Sequence, residues 1–159
     1  MLSLKRMYQI TLLLSMTLIV AACGTNTTTS TTIMKSTTMM VNGVSDTVLT
    51  NVQGMTLYYL KSDTSTKTAC TGTCAGIWPP LLFTGTGSPA SATTLPGTLT
   101  VFSDANGQQV EYNGHQLYTY SGDTAPGQTN GEGFKGVWFV ATSSLSGQSA
   151  PTPVPYGGY

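Results

Sequence analysis

Few side chains in this 159-residue chain have the type and spacing to do chemistry. His115 is the only histidine, and Met55 stands 60 residues before it. Transition-metal sites draw on several nitrogen or sulfur ligands. Beside His115 the chain offers seven Met, three of them (Met1, Met7, Met16) close to the amino terminus, and three Cys. Met55 and His115 hold one position of an internal repeat, so a pseudo-symmetry that brought them together would make a soft-metal site; read singly, His115 is a turn residue. Asp63 and Asp123 also correspond at 60 residues. Two facing carboxylates are the equipment of a glycosidase, but each Asp here precedes a Thr just beyond a strand. The expected role is therefore structural, an Asp accepting from loop amides. A Ser–His–Asp mechanism needs a serine on a shaped turn, and no serine has that setting. The chain thus reads as no enzyme, with no catalytic residue and no cofactor. Cys70 and Cys74, in Ala-Cys-Thr-Gly-Thr-Cys-Ala-Gly, are expected to form a disulfide, the default outside the cytoplasm. They lack the basic neighbour that a reactive thiol needs.

These residues ride on a repeat. Gly54, Leu57, Tyr58, Asp63, Thr64, Gly76 and Trp78 recur as Gly114, Leu117, Tyr118, Asp123, Thr124, Gly136 and Trp138, with Ile77 and Val137 a similar pair. One unit used twice implies supersecondary blocks sharing a core. Trp78 and Trp138 read as equivalent core anchors, and Pro79-Pro80 as a sharp end to the first unit's strand.

The amino terminus carries a second signal. Lys5 and Arg6 precede an apolar stretch, Ile10 to Val20, and then Ala21-Ala22-Cys23. A charged start, a short apolar run and small residues describe a signal peptide. Val20-Ala21-Ala22-Cys23 is similar to a bacterial lipobox, which makes residues 1–22 a lipoprotein signal and Cys23 the lipidated first residue of the mature chain. Acyl chains would then tie the protein to a membrane. No Asp follows Cys23, which favours the outer membrane in a cell with two.

After Cys23 the expected plan is a disordered Thr-rich tether (23–39), a β domain (40–142) and a disordered Pro/Gly tail (143–159). The tether's heart, Thr25 to Thr32, has little to bury. From Cys23 onward four lysines face six acids, net −2. With no basic patch, nucleic acid is not a partner. Within the domain, Thr47 to Asn51 and Thr56 to Leu60 flank a turn at Val52-Gln53-Gly54. Leu99 to Ser103 and Gln109 to Tyr112 flank one ending in Asn106-Gly107, a strong hairpin signal. Asn113-Gly114 turns the chain into Gln116 to Tyr120, and Gly136 to Ala141 is rich in β formers. No segment keeps a 3.6-residue apolar period. The fold class is all-β, a small sandwich or barrel built from two repeats, about 45–80 and 100–141. Side chains alternate along a strand, so Leu57 and Leu117 oppose Tyr58 and Tyr118, and both faces are expected to be partly covered.

Residues 54–63, Gly-Met-Thr-Leu-Tyr-Tyr-Leu-Lys-Ser-Asp, and 69–81, through Trp78-Pro79-Pro80, resemble the first unit of the bacterial "secreted repeat of unknown function" lipoproteins. These are predicted lipoproteins with a Tyr-x-aromatic-x-x-Asp motif. Tyr118, Tyr120 and Asp123 match the motif in full; Tyr58 and Asp63 match with Leu60 in the aromatic place. The resemblance implies an extracytoplasmic, lipid-anchored repeat domain and no particular activity. Two readings follow. One is a non-catalytic envelope module that meets a protein or a cell-surface polymer through Tyr58, Tyr59, Tyr112, Tyr118 and Tyr120, five residues that would serve equally as core. The other is a metal-binding or redox lipoprotein using Met55, His115 or the cysteine pair.

Overall fold

The computed structural model describes residues 28–148. The signal segment, Cys23 and residues 149–159 lie outside the described residues. The elements are β1 (Ser30–Val41), β2 (Val44–Asn51), β3 (Tyr58–Leu60), a one-turn helix α1 (Thr73–Ile77), β4 (Ser88–Ser91), β5 (Leu99–Asp104), β6 (Gly107–Tyr112), β7 (His115–Gln116), a short 3-10 turn (Phe134–Gly136) and β8 (Trp138–Val140). The fold is all-β, as expected. The hairpins form where the turn residues put them. Asn113 and Gly114 both take positive φ, 52° and 82°, the mirror-image turn that suits strand twist.

The expected disordered tether is corrected from residue 30 onward. Ser30–Val41 is a 12-residue strand. It pairs antiparallel with β2 from Met34↔Asn51 to Val41↔Val44 and parallel with β4. Its turn is Asn42-Gly43, with φ of 50° and 80°. This hairpin is the counterpart of β5–β6: Met34 faces Asn51 as Leu99 faces Tyr112. Threonine's branched Cβ fits a pleated surface, and the strand also buries Met34 with Ile33 packed beside it, so this Thr-rich run holds as a strand once a partner fixes it. The expected disordered tail is corrected as far as Gln148. Ser143 O accepts from Tyr112 Oη at 2.7 Å, and Leu145 O from Asn113 Nδ2 at 2.8 Å.

The centre of the molecule is a ribbon of four short segments. Val140 pairs with Tyr58, Tyr58 with Tyr118, and Tyr118 with Pro80. Tyr58 and Tyr118 exchange both backbone bonds, N to O at 2.8 and 2.9 Å, so a pseudo-twofold axis runs between them. The order across the ribbon is last strand of repeat two, middle strand of repeat one, middle strand of repeat two, last segment of repeat one. Each repeat's closing strand therefore belongs to the other repeat. Two closed triangles of backbone bonds lock the exchange. In one, Leu49 N donates to Ala141 O, Ala141 N to Leu57 O and Leu57 N to Leu49 O; in the other, Val110 N donates to Leu81 O, Leu81 N to Leu117 O and Leu117 N to Val110 O. Pro79-Pro80 corrects a further expectation: the pair does not end the strand but lies within this outer segment, where Thr119 N still donates to Pro79 O at 2.8 Å. An edge position tolerates a missing N–H.

Both faces of the ribbon are covered, as alternation suggested. Tyr58, Tyr118, Trp78, Trp138, Val48, Leu60, Cys70 and Val140 form one buried cluster. Leu57, Leu117, Leu49, Val110, Tyr112, Met34 and Ala141 form the other.

Candidate functional site

The motif residues converge on the pseudo-twofold axis, and they do so crosswise. Tyr118 Oη donates to Asp63 Oδ2 at 2.7 Å, and Tyr58 Oη donates to Asp123 Oδ2 at 2.6 Å. The tyrosine of each repeat serves the aspartate of the other. All four are buried, the aspartates 3% and 6% exposed and the tyrosines fully enclosed. The second carboxylate oxygen of each Asp does what the sequence led us to expect, closing its own loop: Ala69 N donates to Asp63 Oδ1 at 2.7 Å and Asn130 N to Asp123 Oδ1 at 3.0 Å. Burial pushes the Asp63 carboxyl up, opposed by its bonds from Ala69 and Tyr118. Burial also pushes both tyrosines well above the usual phenol range, and the carboxylate each one faces adds to it. Both therefore stay hydroxyl donors at physiological pH.

Between the two Tyr–Asp pairs the tryptophans stack face to face, with centroids 3.9 Å apart and planes 4° from parallel. Tyr118 meets Trp138 edge-on at 5.1 Å, and Tyr58 meets Trp78 at 5.4 Å. Edge contacts such as these two Tyr–Trp pairs stabilise by about 0.5–1.5 kcal/mol beyond area burial. Tyr120 stacks on the outer face of Trp78 at 4.2 Å, and Phe134 packs beside both. In the other repeat Leu60, not an aromatic, pairs in register with Trp138. Gly131 fits this core closely: an added Cβ would come within 2.8 Å of Trp78 and 2.9 Å of Tyr58.

Cys70 and Cys74 are joined by a disulfide. Cys70 is buried in the aromatic cluster and Cys74 lies in the first turn of α1. The second repeat closes the same loop without sulfur: Asn130 uses its backbone N on Asp123 and its Nδ2 on Gly122 O at 3.2 Å, while Phe134 fills the space against Trp78. A loop this short restricts the unfolded chain by about 2 kcal/mol in the chain-entropy account. The variant with both cysteines replaced by serine should therefore fold and lose about 2 kcal/mol in a urea titration; complete unfolding would show that the bond does more than close the loop.

The metal candidates are not brought together by any contact. His115 Nε2 faces Ser146 O at 3.0 Å, its Nδ1 faces Gln148 Nε2 at 3.0 Å, and its ring meets Tyr59 edge-on. Gly114, just before it, lies against Ser65 and Gln148, whereas Gly54, just before Met55, lies against Pro126. The pseudo-symmetry thus sends His115 and Met55 to different loops. Burial lowers the His115 pKa, partly offset by its bond to Ser146. Among the described residues no group of three or more His, Cys, Asp or Glu is placed to hold a metal ion.

Comparison with known families gives the same two units. Residues 40–82 and 100–142 each match the family described as "secreted repeat of unknown function". The chain belongs to this family. No curated protein and no solved structure matches it. Each secreted repeat, as matched, runs from the β1–β2 or β5–β6 hairpin to its closing strand, the segment that crosses to its partner. Of the five tyrosines expected to form a recognition face, Tyr58, Tyr112 and Tyr118 are fully buried and only Tyr59 and Tyr120 are half-exposed. Sequence reasoning missed the apolar surface that remains beside the stack. Ile77 and Val137, equivalent in the repeat, are 47% and 36% exposed. Their backbone carbonyls take matching bonds, from Ser121 N at 2.9 Å and Lys61 N at 2.9 Å. Their hydrophobic character next to each Trp was the available signal.

Proposed function

We propose that this chain is a lipid-anchored, non-catalytic module of the bacterial cell envelope, held through Cys23 and facing outside the cytoplasm, on the outer membrane where there are two. The observation that carries the non-catalytic reading is the crosswise Tyr–Asp lock. The acids and tyrosines that the repeat brings to its axis spend their polar atoms on one another and on loop amides. What remains for an envelope protein or cell-surface polymer is the surface of Tyr120, Phe134, Ile77 and Val137 around the tryptophan stack. Aromatic side chains are favoured in interfaces. With β1 starting at Ser30, seven residues beyond Cys23, the domain would sit within about 25 Å of its anchor.

A photo-crosslinking residue at Ile77 or Tyr120, introduced in the producing cell, should capture a partner that the same residue at Val44 does not. Equal capture at all three positions would count against the surface. Cys23→Ser should move the protein from the membrane fraction to the soluble fraction and end its labelling with palmitate; persistence of both would remove the anchor. A metal-handling role is the second reading, and it would need His115 to give up its bonds to Ser146 O and Gln148 Nε2. His115→Ala with unchanged metal content would end it.

A further inference from the structure

The loop that carries Asp63 lies over the β5–β6–β7 sheet, and polar side chains fasten it there. Gln116 Nε2 donates to Thr64 O at 2.7 Å, Asn106 Nδ2 to Cys70 O at 3.0 Å, and Thr68 Oγ1 to Asp104 Oδ2. Gln109 completes the row, accepting from Asn106 and donating to Leu117 O at 3.0 Å. Glu111 stands among them, facing Thr100 on β5 and Gln116 on β7 in register. Thr100 Oγ1 donates to Glu111 Oε2 at 3.0 Å.

Two atoms do not close. Glu111 Oε1 and Gln116 Oε1 are buried and have no hydrogen-bond partner among the described residues. Glu111 is 6% exposed and Gln116 fully enclosed. Directly opposed residues of an antiparallel pair share a face, with Cβ atoms about 4.5–5.5 Å apart. Gln116 cannot present its N–H to Glu111 by turning over, because its nitrogen is committed to Thr64 O and the turn would set oxygen against oxygen. An ionised carboxylate only accepts, whereas a carboxylic acid donates once. The network therefore lacks one donor, and one proton supplies it.

We propose that Glu111 is a proton-holding site: in the folded protein its Oε1 carries a proton and donates it to Gln116 Oε1, completing the polar clamp on the Asp63 loop. Burial pushes this carboxyl above the usual range and Asp104 pushes it the same way, against the Thr100 bond. Of the charged groups around the clamp, Asp104 on β5 is an anion that favours the protonated form, Asp63 stands in the loop above and is itself raised by burial, and the exposed Lys67 at the turn, a cation, acts against them through solvent. The sign follows. A carboxyl whose folded pKa exceeds its unfolded value binds more proton when folded, so its stabilisation is complete at low pH and is lost as pH rises through the folded midpoint. Ionisation would leave a buried charge beside an unpaired amide oxygen, and the clamp would weaken.

The test is a carbon-13 carboxyl titration of the protein alongside its urea stability over the same pH range. Glu111 should titrate above the ordinary glutamate range, with stability falling across that interval. E111Q supplies an amide N–H for Gln116 Oε1 and an oxygen for Thr100, so it should flatten that fall and exceed the native protein at neutral pH. Titration of Glu111 at or below the ordinary range would overturn the proposal, as would a fall in stability across the Glu111 titration that E111Q leaves undiminished, since the raised Asp63 carboxyl adds a slope of its own in both proteins. Stabilisation of the native protein by sodium or calcium salts that E111Q does not share would overturn it too, assigning the two oxygens to a cation.

Discussion

A chain shortened to end at Gly136 is expected to lose the structure of its first repeat as well as its second. The removed segment carries β8, which pairs with β3 from Tyr58↔Val140 to Leu60↔Trp138. It also carries Ala141, which joins Leu49 to Leu57 through two of the three bonds of the first triangle. Trp138 goes with it, leaving Trp78 without its stacking partner and Tyr118 without the ring it meets edge-on. Removing a buried Trp side chain alone costs about 3–5 kcal/mol, and a domain of this size has about 5–15 kcal/mol in all. Loss of the strand bonds as well should exceed that reserve. The measurement is amide dispersion by NMR, with Trp138→Ala as the milder partner, expected to fold with a loss of about 3–5 kcal/mol. Native amide shifts for residues 44–60 in the shortened chain would show that the first repeat stands alone and that the strand exchange is incidental.

The same exchange explains what the sequence could and could not tell. The repeat, the Asn113-Gly114 turn, the loop-closing aspartates and the disulfide were legible because each depends on nearby residues. Asn-Gly favours a tight turn without help from distant residues, and an Asp reaches amides six or seven residues on. Which repeat receives Tyr58's hydroxyl is a different matter. Both repeats carry the same motif, so pairing within a unit and pairing across units satisfy the same pattern, and only the direction taken by the strands after Trp78 and Trp138 decides. Residues 30–39 were misread for a related reason. Their Thr and Ser continue the low-complexity run before them, which hides Ile33, Met34 and Met39, and the strand is fixed by partners at Val44–Asn51 and Ser88–Ser91. The clue was Asn42-Gly43, the same turn signal as Asn106-Gly107. The tyrosines misled in turn: a row of five was compatible with a surface or a core, and the core took three.

Double-mutant cycles should find the energy of the motif between repeats and not within them. Tyr118→Phe with Asp63→Asn, and Tyr58→Phe with Asp123→Asn, should each show coupling of about 0.5–3 kcal/mol in urea unfolding, the range of residues in one hydrogen-bond network. Tyr58→Phe with Asp63→Asn, taken from the same repeat, should be close to additive. Each tyrosine replacement alone leaves a buried carboxylate oxygen without its donor, at about 1–3 kcal/mol. Each hydroxyl also takes a donor from the structure around it: Tyr58 Oη accepts from Gly131 N at 3.3 Å, and the side chains of Gln109 and Thr68 lie against the Tyr118 hydroxyl. The physical reason is that a buried bond to a carboxylate is strong only while both groups stay out of water, and here the two groups come from different repeats, 65 and 55 residues apart. Each repeat is therefore held shut by the other, each aspartate bonding the opposite repeat's tyrosine with one oxygen and its own loop with the other. Coupling within a repeat as large as that across would mean that the lock closes inside each unit, and the two-repeat architecture would need another cause.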